Sequence, residues 1–201
     1  WINPFIKLDE TFGALEELVL GGYAKAIGVC NFSVPMFQSA NKCLKKVKLS
    51  SNLIECNLFN QHEVMKDMEY YQKNGITILV YGALNHLNSF FSKEQQKFIQ
   101  GLQKKYAKSL PQILIRYFTT FEPTILLTKT DNIDHLKNNL RSFDFDLTVE
   151  ERQQFITLFQ FKIQHIPMKN IKTPKQFNAV DILKNQGNLI PSPLMVAQTL
   201  L

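Results

Sequence analysis

Apolar residues along this chain fall into two alternating patterns, short continuous runs and segments with helical spacing. The continuous runs suit buried parallel strands, and they predict strands at 26–30, 52–56, 76–81 and 124–129. The segments with helical spacing predict helices at 10–22, 33–46, 63–73, 93–106, 109–120, 132–141 and 148–159. Strands that alternate with helices over short links are typical of parallel βα units.

Local signals mark some of the boundaries. Ser33 is a good N-cap before Val34-Pro35, and Asn74-Gly75 is a pair that ends helices. The run ITILVY at 76–81 is β-branched and apolar almost throughout. We therefore expect this strand to be covered on both faces.

Two α/β architectures fit this order, an open doubly wound sheet and a (β/α)8 barrel. An open nucleotide-binding sheet carries a glycine-rich turn after its first strand, but Gly21-Gly22 and Gly28 do not have the G-x-G-x-x-G spacing. The pattern therefore favours barrel units. A complete TIM barrel takes about 250 residues and eight strands, so this chain, with four predicted strands, corresponds to half a barrel.

The last part of the chain differs in character. Four prolines interrupt residues 161–201, and helical periodicity is strong only near 178–185. The segment ends in an apolar stretch from Leu194 to Leu201, which a solvated tail would not favour. We therefore predict a half-barrel at 1–160 and an extended C-terminal arm at 161–201.

Composition excludes several protein classes. The chain is 45% apolar and 20% charged, which is ordinary for a globular protein and excludes disordered, collagenous and disulfide-scaffold classes. No apolar run reaches the roughly 18 residues of a membrane span. The three cysteines form no disulfide framework and indicate a reducing, intracellular compartment. Because the chain begins with Trp1 rather than Met, we expect something upstream to have been removed, and the compartment to be cytoplasmic, or mitochondrial if the N-terminus was processed.

The net charge of +6 does not indicate nucleic-acid binding. Only three of the 23 basic residues are Arg, the side chain favoured for bidentate contacts to phosphates and bases. The lysines are scattered along helical segments, which is typical of a solvated surface. We therefore expect no nucleic-acid partner.

Polar residues follow each predicted strand. Asn31, Glu55, Tyr81 and Lys129 stand at or just after the four strand ends, and the carboxyl ends of barrel strands carry the chemistry of such folds. Asparagine amides, a phenol and a lysine before a helix N-terminus suit a polar planar ring and a phosphate. The alternative is that they are loop caps and surface residues, as in any βα turn.

Four segments, in this order, resemble the C-terminal half of the aldo-keto reductases. They are AIGVCNFS at 26–33, NLIECNLF at 52–59, ILVYGAL at 78–84 and LLTKTDNIDHLKNNL at 126–140. Family members typically read AIGVSNF, NQIEYNP, AYSPLG and IPKS at these places. The resemblance covers roughly residues 10–158 and implies the second half of a TIM barrel.

The resemblance also implies an NADP(H) site. Asn31 matches the residue that hydrogen-bonds the nicotinamide carboxamide, and Tyr81 matches the ring on which nicotinamide stacks. Lys129 and Thr130 match the residues that meet the adenosine 2′-phosphate, and Asn139 matches the amide that contacts adenine.

Several positions depart from the family pattern. The family Ser is Cys30, the Gln that shares the carboxamide is Leu53, and the Arg that clamps adenine and the 2′-phosphate is His135. The SPLG loop reads Gly82-Ala83-Leu84-Asn85, and the Pro before the lysine is Thr128. Each loss costs on the order of 1–3 kcal/mol if a buried cofactor group stays unpaired. We therefore expect NADP(H) binding to be weak or lost.

The resemblance assigns no catalytic residue to this chain. The family's catalytic Asp, Tyr, Lys and His lie in the N-terminal half of the barrel, and the His often precedes a Trp-Pro pair for which Trp1 is the candidate Trp. Tyr81 already has the stacking role, His86 is interpreted as a loop residue, and Glu55 falls at a structural family position.

No metal site is expected. His62 and His165 lack partners at metal-ligand spacing, and the cysteines form no C-x-x-C motif. Cys30 is interpreted as a small buried residue rather than a reactive thiol.

Three functional hypotheses follow. The first is a non-catalytic aldo-keto reductase-like subunit of a larger complex, favoured by the absent catalytic half, the eroded cofactor contacts and the apolar-tipped arm. The second is the C-terminal part of an active NADPH-dependent aldehyde or ketone reductase, and the third is a regulatory subunit that senses NADP(H). Under the first two hypotheses, bare sheet edges predict covering polypeptide, either other subunits or the missing N-terminal half.

Overall fold

Four parallel strands form one sheet in the computed structural model, which describes residues 5–87 and 91–159. The order across the sheet follows the order along the chain. The strands are β1 Ile27–Cys30, β2 Leu49–Glu55, β3 Thr77–Tyr81 and β4 Thr124–Leu126. A doubly wound sheet reverses its strand order part-way, whereas this sheet does not, which confirms the prediction of barrel-type βα units.

Helices alternate with these strands. They are α1 Leu8–Leu20, α2 Val34–Cys43, α3 Gln61–Met65, α4 Met68–Asn74, α5 Lys93–Tyr106, α6 Leu110–Thr119, α7 Ile133–Leu140 and α8 Val149–Leu158, with a 3-10 turn at Arg141–Phe143. Ser33 stands at the N-cap of α2, as predicted. Gly75 ends α4 with φ of +63°, a conformation that favours glycine.

The single helix predicted at 63–73 is two helices, α3 and α4. They are separated at Lys66 and Asp67. Val64, Met68 and Tyr71 are all buried and keep helical spacing across the break. Apolar periodicity therefore cannot reveal the interruption, because the buried stripe continues through it.

The two faces of the sheet differ. Ile78 and Val80 of β3 are 0% and 2% exposed beneath the helices, while Thr77, Leu79 and Tyr81 on the opposite face are only partly buried. The strand pairing places Cys30, Leu53, Leu79 and Ile125 in one row on that opposite face. We call the side of the sheet that carries this row the open face. Ile125 is 53% exposed there. The expectation that β3 is covered on both faces is therefore wrong for the part of the chain that the structure describes.

Aromatic side chains of α6 and of the C-terminal part of α8 pack together in the core. The Tyr117 ring centroid lies 4.5 Å from that of Phe155, and the Phe155 and Phe159 centroids are 5.9 Å apart. The Tyr117 hydroxyl donates to Gln61 Oε1 at 2.5 Å, and Gln61 Nε2 donates to the carbonyls of Leu58 and Phe155. Burial raises the pKa of Tyr117. These hydrogen bonds allow a phenol and an amide to lie in an apolar core.

A buried asparagine joins β1 to β2. Asn52 is 0% exposed; its Nδ2 donates to the Phe32 carbonyl at 2.7 Å and to the Tyr71 hydroxyl at 3.2 Å. Its Oδ1 accepts from the Phe32 N–H at 3.3 Å. Both backbone groups of Phe32 are thus bound to one side chain, which holds the turn that follows β1.

Residues 161–201, predicted to form an extended arm, lie outside the described residues, so that part of the domain division stays a prediction. Within 5–87 and 91–159, no helix is long and apolar enough to cross a membrane.

A carboxylate of α1 holds the turn before β2. Glu16 is buried, and its Oε1 accepts three consecutive backbone N–H groups, from Lys45, Lys46 and Val47, at 2.8, 2.6 and 3.0 Å. The pKa of Glu16 lies below its ordinary value of 4.5, chiefly because of the N–H groups of Lys46 and Val47. Hydrogen bonds to the charged form favour that form.

We predict that Glu16→Gln lowers the urea midpoint at pH 7. Because the folded-state pKa of Glu16 is depressed, its contribution is present above the unfolded pKa and is lost as the pH falls through the folded pKa. The difference between wild type and variant should therefore shrink below about pH 4.5. The exposed neighbour Glu17→Gln is the control. An equal loss for both variants, or a loss independent of pH, would contradict the prediction.

Candidate functional site

The carboxyl ends of β1, β2 and β3 bring three polar residues to one edge of the sheet. Asn31 directly follows β1, and its N–H donates to the Leu53 carbonyl at 2.7 Å. Glu55 and Tyr81 are the last residues of β2 and β3 and are paired in register. The N–H of Cys56 donates to the Tyr81 carbonyl at 3.0 Å, so backbone pairing continues just beyond the strands.

Asn31 and Tyr81 are in direct contact. Asn31 Nδ2 donates to the Tyr81 hydroxyl at 3.0 Å, across fifty positions of sequence. The N–H of Glu55 donates to Asn31 Oδ1 at 3.2 Å, which fixes the orientation of the amide. The backbone of Asn31 has φ of +55°, a conformation that asparagine tolerates better than most residues.

The Asn31 amide keeps hydrogen-bonding capacity. An asparagine side chain has two N–H donors and an oxygen with two lone pairs. One donor serves Tyr81, while the oxygen serves the Glu55 N–H and lies 3.4 Å from the Tyr81 hydroxyl. One N–H remains available, so the amide can donate to a carbonyl-type oxygen.

A tight turn follows Tyr81. Gly82 has φ of +71°, and the Asn85 N–H donates to the Gly82 carbonyl at 2.9 Å. A Cβ at Gly82 would lie 2.8 Å from Asn85 Nδ2 and 3.2 Å from Glu55 Cγ. Glycine therefore permits both the backbone conformation and the approach of Glu55 and Asn85, which are joined by an Asn85 Nδ2 to Glu55 Oε1 bond of 3.4 Å.

Burial reinforces the neutral forms of Tyr81 and Cys30. Burial raises the pKa of Tyr81, the Asn31 hydrogen bond opposes this, and the charge of Glu55 adds to the rise. Burial also raises the pKa of Cys30, which is half-buried. Tyr81 is therefore a neutral phenol near pH 7 and Cys30 a protonated thiol, which agrees with the interpretation of Cys30 as unreactive.

The segment after β4 carries the predicted phosphate residues. Lys129 is exposed, and the Thr130 hydroxyl accepts the Asn132 N–H at 3.2 Å. Asn132 Oδ1 in turn accepts the N–H groups of Asp134 and His135 at 2.8 and 3.3 Å. The first turn of α7 is therefore already capped by Asn132, and an anion here would meet the side chains of Lys129 and Thr130.

The remaining predicted residue, Asn139, lies at the other end of α7. It is half-buried, and its helical position places it about 9 Å along the axis from Ile133. His135 is exposed on the same helix. The structure thus joins Asn31 to Tyr81 directly, whereas Lys129 and Thr130 are adjacent in the chain and Asn139 lies in the last turn of α7.

Glu55 was predicted as a polar residue at a strand end and interpreted as structural from its family position, and its contact with Asn85 was not predicted. The strand periodicity held a usable signal, because residues two apart share a sheet face. Leu53 and Glu55 therefore face the same way, and the pairing places Tyr81 beside Glu55. For metals, no group of three or more His, Cys, Asp or Glu in the described ranges could hold an ion; His165 lies outside them.

Comparison with known proteins decides the family. The family model described as "Aldo/keto reductase family" matches residues 1–157. The chain belongs to the aldo-keto reductases. This membership confirms the resemblance seen in the four sequence segments, and it agrees with the parallel four-stranded sheet as part of a TIM barrel.

Two relatives show how much of an aldo-keto reductase is present. The chain is 28% identical over 168 residues to the NADPH-dependent alpha-keto amide reductase of Saccharomyces cerevisiae, covering 82% of this chain and 52% of the relative. It is 29% identical over 167 residues to aldo-keto reductase family 1 member D1 of Oryctolagus cuniculus, covering 79% and 50%. The chain thus spans about half the length of these relatives.

Two solved structures of aldo-keto reductases are similar to this chain. An aldo-keto reductase of Bombyx mori in complex with NADP superposes with a TM-score of 0.65 at 26% identity, covering 77% of this chain and 51% of that one. A thermostable aldo-keto reductase in complex with the inhibitor epalrestat superposes with a TM-score of 0.69 at 24% identity, which supports the fold.

Proposed function

We propose that this chain forms the NADP(H)-binding half of an NADPH-dependent carbonyl reductase of the aldo-keto reductase family. The observation that carries the proposal is the contact between Asn31 and Tyr81 at the carboxyl edge of the sheet. The yeast relative is named as NADPH-dependent, and the Bombyx mori structure contains NADP. When bound, the nicotinamide supplies or accepts the hydride in such reactions.

The donor set at this edge fits a nicotinamide. Asn31 retains an N–H donor, and a ring carboxamide offers a carbonyl oxygen to receive it. The Tyr81 ring is partly exposed and its hydroxyl is held by Asn31, so the ring keeps one orientation as a stacking surface. The turn at Gly82 brings Glu55 and Asn85 together, and Glu55 is paired in register with Tyr81. These contacts restrain the surroundings of the Asn31–Tyr81 pair, which we call the nicotinamide platform.

The segment after β4 fits a phosphate less closely. Lys129 supplies a positive charge, and the Thr130 hydroxyl proton has only a long contact to the Asn132 carbonyl, at 3.5 Å. That proton is available to a phosphate oxygen. His135 is exposed and stands where the family carries Arg, so it provides no bidentate contact.

Two departures argue for modest affinity. Leu53 offers the carboxamide no hydrogen bond. His135 replaces the family Arg, whose charged guanidinium makes bidentate contacts. Each absent contact weakens binding by roughly tenfold per 1.4 kcal/mol. We therefore expect NADP(H) to bind more weakly than a complete set of contacts would allow.

A non-catalytic assembly subunit is the second candidate. It is supported by the same departures and by the open face, where Ile125 is 53% exposed and Leu53 and Leu79 are partly exposed. A parallel sheet is seldom left uncovered on one face. We propose that other polypeptide covers the open face, either the other half of a barrel or different subunits. Nucleotide binding separates the two candidates, because only the first requires it.

Tyr81 and Asn31 substitutions test the nicotinamide platform. In the protein purified in its native form, we expect Tyr81→Ala to weaken NADPH binding by about tenfold, because a stacking surface is lost. Tyr81→Phe keeps the ring and should cost about two- to threefold, through the lost bond to Asn31. Isothermal titration calorimetry measures these affinities.

The control for this series is Tyr23→Ala, which removes a tyrosine that is 86% exposed. If wild type shows no nucleotide binding, the reductase proposal is wrong and the assembly candidate stands. If Tyr81→Ala behaves like Tyr23→Ala, the platform has been misplaced.

Lys129 should select for the 2′-phosphate. We expect Lys129→Ala to reduce the preference for NADPH over NADH by roughly tenfold, because an ion pair with a phosphate is removed. The reduction should come from weaker NADPH binding, with NADH affinity unchanged. Lys137→Ala, on the exposed surface of α7, is the control. An unchanged preference in Lys129→Ala would exclude this lysine from the site.

Coverage of the open face is tested with two matched substitutions. Ile125 on the open face and Leu20 on α1 are each 53% exposed. If polypeptide covers the open face, Ile125→Asp should lower the melting temperature or release a partner, because a carboxylate would be buried there. Leu20→Asp should do neither. Light scattering that finds a monodisperse 23.3 kDa chain with a cooperative melt would contradict the prediction.

A further inference from the structure

We infer that Glu55 makes this site favour the oxidised cofactor NADP⁺ over NADPH, through the negative charge of its carboxylate. The inference rests on the proposed function, since it needs the nicotinamide to bind at the Asn31–Tyr81 pair. The oxidised nicotinamide ring carries a positive charge and the reduced ring is neutral. A fixed carboxylate beside the ring therefore stabilises one redox state more than the other.

The position of Glu55 supports this role. Glu55 is paired in register with Tyr81, and residues paired in this way present their side chains on the same sheet face. Its N–H is bonded to Asn31 Oδ1 at 3.2 Å. Glu55 thus lies at the corner formed by the two residues proposed to hold the nicotinamide.

The Glu55 carboxylate is held by a hydrogen bond but keeps one oxygen without a hydrogen-bond partner among the described residues. Asn85 Nδ2 donates to Glu55 Oε1 at 3.4 Å, and the missing Cβ of Gly82 makes room for Glu55 Cγ. Among the described residues, no hydrogen bond reaches Glu55 Oε2 and no lysine or arginine forms an ion pair with it. Its charge is therefore not neutralised locally, and one oxygen can accept a hydrogen bond.

The charge of Glu55 acts on the neighbouring platform. It contributes to the raised pKa of the Tyr81 hydroxyl, after the larger effect of burial. A charge that reaches this hydroxyl also reaches a ring stacked at Tyr81. The neighbouring row on the same face, Cys30, Leu53, Leu79 and Ile125, carries no charged side chain. Within this row and the Asn31–Tyr81 pair, among the described residues, the adjacent carboxylate is that of Glu55.

The ratio of dissociation constants for NADP⁺ and NADPH tests the inference. Both nucleotides carry the same phosphates, so the ratio isolates the ring. In the protein purified in its native form at low ionic strength, Glu55→Gln should shift the ratio by about tenfold toward NADPH. Glu55→Asp, which keeps the charge, should retain most of the NADP⁺ preference. Glu94→Gln, which removes an exposed carboxylate on α5, should leave the ratio unchanged.

The salt dependence of the wild-type ratio gives a second test that needs no variant. The preference for NADP⁺ should fall as ionic strength rises from about 0.01 M to 1 M, because the Debye length shortens from about 30 Å to 3 Å. A ratio that is the same in Glu55→Gln and Glu94→Gln, or a wild-type ratio independent of salt, would overturn the inference. Failure of the proposed function is a different result, in which wild type binds neither nucleotide.

Discussion

The buried amide of Asn52 is the interaction on which the candidate site depends. A fully buried amide must have hydrogen-bond partners, and Asn52 finds them on both backbone groups of Phe32 and on the Tyr71 hydroxyl. These bonds fix the turn after β1 and, with it, the neighbouring residue Asn31. The left-handed backbone of Asn31 then aims its amide at Tyr81. A bond on the helix side of the sheet thus positions a group at the strand ends.

The two faces of the sheet have different roles. One face packs into the buried core, and the other carries the candidate site on which the proposed function depends. On the helix side, Ile78 and Val80 belong to the same buried core as Tyr117, Phe155 and Phe159. The buried Tyr117 and Gln61 have hydrogen-bond partners there. On the open face, the apolar row ends at an edge lined by Asn31, Glu55 and Tyr81. Site chemistry lies at the carboxyl end of parallel strands, so the same alternation of side chains builds the core and exposes the site.

Much of the fold could be predicted because its signals are local. Helix α5 has the predicted bounds, and Gly75 ends α4 in the left-handed conformation expected of a terminal glycine. The break between α3 and α4 could not be predicted, because Val64 and Met68 continue one buried stripe across it. Glu55 was interpreted as structural because it falls at a structural position of the family. Its contact with Asn85 could not be predicted, because the two residues are thirty positions apart and meet through the turn at Gly82.

The sequence by itself determined the parallel βα units, their order, and the residue types at the strand ends, because hydrophobic period and capping residues act over a few neighbouring positions. It also indicated Asn31, Tyr81, Lys129, Thr130 and Asn139 through resemblance to a family. Only the tertiary structure decided which of them meet. Contact between Asn31 and Tyr81 requires two strand pairings to bring residues fifty positions apart within hydrogen-bond distance. That geometry depends on backbone register, which no single segment of the sequence encodes.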